Sequence, residues 1–84
     1  MDGKVRGWPY VTGTDEARGV IVVVQEDRFR LLTADGQGLA FILGARAALG
    51  SAELRRWRDA ALPVVVRYRG EPDMGAVAVA VAPE

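Results

Sequence analysis

The sequence predicts a mostly-β domain, a small five-stranded barrel with one helix. Three observations predict it. Residues 20–24 are five β-branched residues in a row, which strongly favours the pleated conformation. Asp35-Gly36, between two short apolar segments, supplies the positive-φ residue that a hairpin turn needs. Between Gly44 and Pro63 the apolar period changes, once, to that of a helix.

Taken in order, residues 1–18 read as an N-terminal arm packed on the barrel, and 19–84 as the barrel domain. Gly7, Pro9, Gly13 and Asp15-Glu16 discourage regular structure. Val5, Trp8, Tyr10 and Val11 are too apolar for a free tail, so the arm is expected to lie across the barrel, with a short strand near 8–12. The first barrel strand is 19–25; both its faces are apolar, so both are expected to be covered. Arg28–Thr33 and Gly38–Leu43 are the second and third strands. A two-residue Asp35-Gly36 turn would set Arg30 opposite Phe41. A three-residue Ala34-Asp35-Gly36 turn, with Gly36 in a bulge, gathers Phe29, Leu31, Leu39, Phe41 and Leu43 on one face and Arg28, Arg30, Leu32, Ala40 and Ile42 on the other. The second register is preferred because it separates core from surface.

Ser51 reads as the cap of a helix over 51–60, with Glu53 in its first turn and Leu54, Trp57 and Ala61 on one side. Pro63 ends it. Pro63–Arg69 is the fourth strand, with Val64, Val66 and Tyr68 on one face and Val65, Arg67 and Arg69 on the other. The fifth strand, 75–82, alternates Val77, Val79 and Val81 against alanines, and the valines are expected to face the core. The order β-β-β-α-β-β is that of the OB-type Greek-key barrel.

Composition narrows the function. The 84 residues contain no cysteine and no histidine, which removes disulfides, the commonest metal ligand and the usual general base. No nucleophile elbow and no phosphate-cradling glycine loop occurs, so neither an enzyme nor a cofactor site is expected. Lys+Arg and Asp+Glu balance at 11 each, so any grip on nucleic acid needs a local patch rather than net charge. The polar opening and short apolar runs predict no signal peptide and no membrane span, and hence a cytoplasmic protein.

Gly19-Val20-Ile21, then Arg28-Phe29-Arg30-Leu31, then Asp35-Gly36-Gln37 resembles the front half of the OB domains of bacterial translation initiation factor one and the ribosomal-S1-like group. The resemblance covers residues 19–42. It implies an RNA-binding barrel with Phe29 in the core and Arg30 outward on the binding side. The chain departs from that group in its balanced charge, in having Ala45-Arg46-Ala47-Ala48 after the third strand, and in its helix.

Four arginines are the candidate binding residues: Arg28, Arg30, Arg67 and Arg69. Each pair has strand spacing, and the two pairs are expected to flank 20–24 and grip phosphates of single-stranded RNA or DNA. The competing expectation is a solvated face paired with Glu26, Asp27, Glu71 and Asp73. Trp8 and Trp57 are candidate stacking residues, although Trp57 is expected to pack the helix on the barrel and Tyr68 to be buried. Arg55, Arg56 and Arg58 read as a solvated helix face. The apolar surfaces of the first and fifth strands offer a second function, docking a protein partner or a second copy.

Overall fold

The computed structural model describes residues 14–84. The arm residues Val5, Trp8, Tyr10 and Val11 lie outside the described residues. Five strands, β1 (Asp15–Gln25), β2 (Arg28–Thr33), β3 (Gly38–Leu43), β4 (Pro63–Arg69) and β5 (Ala76–Pro83), close a barrel in the order β1-β2-β3-β5-β4. One helix, α1 (Ser51–Asp59), lies between β3 and β4, and single 3-10 turns occupy Ala45–Ala47 and Pro72–Met74. β3 and β5 run parallel; every other pair is antiparallel. This is the expected OB-type architecture.

β1 begins at Asp15 rather than at Gly19, because it serves two neighbours. Its first half pairs with β4, from Asp15 opposite Tyr68 to Val20 opposite Pro63. Its second half pairs with β2, from Gly19 opposite Thr33 to Gln25 opposite Arg28. Gly19 stands where the two ladders overlap. A Cβ at that position would lie 2.2 Å from the Leu32 carbonyl oxygen, so only glycine lets the strands close there.

The hairpin register is the expected one. Phe29 is opposite Phe41 and Leu31 opposite Leu39. The Gly36 N–H donates to the Thr33 carbonyl (3.0 Å), the Thr33 N–H donates to the Gln37 carbonyl (2.9 Å), and Gly36 has φ +89°, the three-residue turn with a bulge. Phe29, Leu31 and Phe41 are buried, with the two rings stacked at 5.3 Å.

Two strands depart from simple alternation. In β1 the register slips between Ile21 and Val23, so Val22 is an extra residue and both Val22 and Val23 face outward, about two-fifths exposed. The outer face of this segment is therefore partly exposed at these two residues. In β5 the slip falls opposite Arg67 and Tyr68, which pair with Ala80 and Ala78. Ala76 and Ala78 are buried, Val77 is exposed, and beyond the slip Val81 faces the core. The expected valine face holds only at Val81. The reason is volume: Ala76 sits opposite Phe41 and Ala78 opposite Tyr68, whose rings lie 5.0 Å apart, and valines there would overfill the barrel.

α1 covers one end of the core with Leu54, fully buried, and Trp57, half-buried against the same cluster. Its cap is Gly50, not Ser51. The Glu53 carboxylate accepts the Gly50 N–H at 3.1 Å, while the Ser51 hydroxyl accepts from Arg55 at 3.1 Å. That backbone hydrogen bond is the main reason the Glu53 carboxyl titrates below its ordinary value. At the other end Ala61 is exposed and left-handed (φ +51°), not a member of the apolar face. Its N–H donates to the Arg58 carbonyl and the Leu62 N–H to that of Trp57, a Schellman closure before Pro63.

Candidate nucleic-acid interface

Strand register decides which arginines meet. Arg28 and Arg30 lie on the outer face of β2, alternating with buried Phe29 and Leu31, and both are exposed. The Arg30 guanidinium lies over Gly38, at a distance where a Cβ on that residue would just touch it. A shallow groove of about 430 Å³ runs beside the pair, lined by Val23, Arg28, Arg30, Ala40, Ile42 and Met74. Met74 comes from the β4–β5 loop and is 85% exposed. It carries no sequence signal for this role, because only closure of the barrel brings its loop beside β3.

Arg67 does not join this surface. It is 7% exposed and is held by Glu16 of β1, with Nη2–Oε2 at 2.5 Å, and by the Thr14 hydroxyl at 3.3 Å. Arg18 extends the network, reaching Glu16 at 3.6 Å and Glu84 at 3.1 Å. The four acids and bases thus neutralise one another over the outer face of β4. Arg67 is thus buried and ion-paired, where Arg28 and Arg30 stand exposed.

Arg69 is exposed at the end of β4. The sequence places both pairs beside 20–24, but the register separates them. Arg28 pairs with Gln25 at one end of β1, while Arg67 pairs with Glu16 at the other. Arg69 instead reaches the β2 side through β5 and β3. It pairs with Val77, Val77 with Ile42, and Ile42 with Arg28. Arg28, Arg30 and Arg69 form no ion pair with any described residue, so Glu26, Asp27 and Glu71 do not engage them.

The aromatic side chains are elsewhere. Phe29 and Phe41 form the floor but are buried, Tyr68 packs on Phe41 in the core, and Trp57 packs under α1. Burial, with help from Asp15 and Glu71, pushes the Tyr68 hydroxyl above its ordinary value. Of the helix arginines, Arg58 pairs with Asp59 at 3.0 Å and Arg55 with Ser51, as a solvated helix face would. Among the described residues no group of three acidic, histidine or cysteine side chains converges to hold a metal ion. No helix of the described residues is long and apolar enough to cross a membrane.

No family model matches the chain, and no curated protein or solved structure matches it. The closed barrel with its single helix is consistent with an OB-like fold on topology alone.

Proposed function

We propose that the protein is a non-catalytic module that binds single-stranded nucleic acid, RNA before DNA, on the outer face of β2 and β3. The observation that carries this reading is the pair Arg28 and Arg30, exposed and unclaimed by described carboxylates beside a shallow groove. The resemblance of residues 19–42 to an RNA-binding group supports the same face. Without an exposed aromatic platform among its described residues, the surface grips phosphates by charge and rests sugars and bases on aliphatic side chains. Two or three arginines on a neutral chain make a weak, salt-sensitive binder.

Fluorescence anisotropy of labelled single-stranded RNA and DNA, at low and near-physiological salt, tests it. The expected result is micromolar binding that weakens steeply with salt and is lost in Arg28→Glu/Arg30→Glu without loss of fold. Retained affinity in that variant sinks the site, and no binding at low salt sinks the function. A second reading draws on a different observation: Val22, Val23 and Leu32 stand exposed together on β1 and β2. That surface suits a protein partner or a second copy. Sedimentation as a dimer at micromolar concentration supports the second copy; a clean monomer removes it.

A further inference from the structure

The register defines a continuous outward row across the barrel: Gln25 of β1, Arg28 of β2, Ile42 of β3, Val77 of β5 and Arg69 of β4. Its two cations stand at β2 and β4, and the residues between them are aliphatic. Met74 lies beside this middle stretch, in the same groove as Ile42. Three strand spacings separate the cations, about 14 Å along the surface at ~4.8 Å per spacing. That span is about four times the ~3.4 Å rise of a stacked strand, and fewer steps of an extended one.

We infer that the ligand strand crosses β2, β3, β5 and β4 rather than following them, with one phosphate at Arg28, another at Arg69, and its sugars and bases over Ile42, Val77 and Met74. This deepens the nucleic-acid reading and rests on it. Two consequences follow from the spacing and the chemistry. A dinucleotide is too short to reach both arginines, so affinity rises with length until the row is spanned. The middle of the row offers no hydrogen-bonding side chain, so base identity matters little.

The test is a length series of fluorescein-labelled oligouridylates, of roughly two, four, six and eight nucleotides, against the full chain and Arg69→Gln. In the parent protein, affinity is expected to rise about ten-fold from the dimer to the longer strands and then level off. In Arg69→Gln that gain is expected to disappear, with dimer binding unchanged and the salt slope reduced by about one. Val77→Glu, which sets a carboxylate in mid-path, is expected to weaken the longer strands and spare the dimer. Octamer binding by Arg69→Gln equal to the parent, with the same salt slope, overturns the path while leaving the Arg28/Arg30 face intact. Failure of every length to bind overturns the nucleic-acid reading itself, and the path with it.

Discussion

Arg28-Phe29-Arg30 and Arg67-Tyr68-Arg69 are the same pattern, two arginines astride an aromatic on a strand. In β2 the aromatic is buried and both arginines stand in solvent. In β4 one arginine is buried, one is exposed, and the aromatic is half-buried. The difference comes from the neighbours. The strand beside Arg28 and Arg30 on one side brings Val23, Val24 and Gln25, which offer no charge; the strand beside Arg67 brings Glu16. A cation is held in place when a fold sets a carboxylate at its side and buries its guanidinium, as at Arg67, and it stays available when the fold does neither. The shared Arg-aromatic-Arg pattern therefore carries no information about which of the two an arginine will be.

The comparison can be broken most sharply at Glu16. Glu16→Ala removes the carboxylate that pairs with the buried Arg67 guanidinium. Full burial would put the loss near 3–5 kcal/mol; because Glu16 keeps about a quarter of its side-chain surface in water, about 2–4 kcal/mol is expected. Arg30→Ala, which breaks no pair, should change stability by less than about 0.5 kcal/mol. Chemical denaturation of the two variants measures both, and equal losses would erase the distinction between the pairs.

A smaller effect is expected next to the exposed pair. Glu26, in the turn before Arg28, has φ +56°, a conformation that costs an L-residue about 1 kcal/mol and glycine nearly nothing. Glu26→Gly should raise stability by about that amount. It also removes a carboxylate beside Arg28, so oligonucleotide affinity should rise rather than fall. Tighter folding with weaker binding would show that Glu26 itself contacts the ligand.

The smallest effect tests the aromatic between Arg67 and Arg69. The folded-state value of Tyr68 lies above the 10.0 of a free tyrosine, because burial disfavours the phenolate. Its contribution is full below pH 10 and lost as pH rises through the folded value, so the thermal midpoint should fall across that range. Tyr68→Phe should flatten this alkaline limb. Glu53 works in the opposite sense. Its lowered value means a contribution present above the usual carboxylate range and lost as pH falls through the folded value.

Much of the fold is legible in the sequence. The hairpin register at Asp35-Gly36 followed from asking which pairing separates core from surface, and Phe29 opposite Phe41 is the outcome. The helix was legible in period and in Leu54 and Trp57. Its ends were not: Ser51 gave the cap to Gly50 because Glu53 bonds the Gly50 N–H, and Ala61 left the apolar face to close the helix in a left-handed turn. Val77 and Val79 of β5 misled because alanine and valine are both apolar, and only the rings of Phe41 and Tyr68 decide which of them fits inside. Of the candidate site, Arg28, Arg30 and Arg69 are visible as strand spacing. Met74 was not, since its loop reaches the groove only through the parallel pairing of β5 with β3.

By itself, the sequence determined the number and order of the strands, the helix, and which face of β2 and β3 is apolar. These depend on periods of two or 3.6 residues and on one glycine turn, all local in the chain. Tertiary structure alone decided where β1 and β5 slip, which strand lies beside Arg67, and that Arg28 and Arg69 share a row. A bulge reverses every side chain beyond it, and its position is set by pairing between distant segments and by the volume left inside the closed barrel.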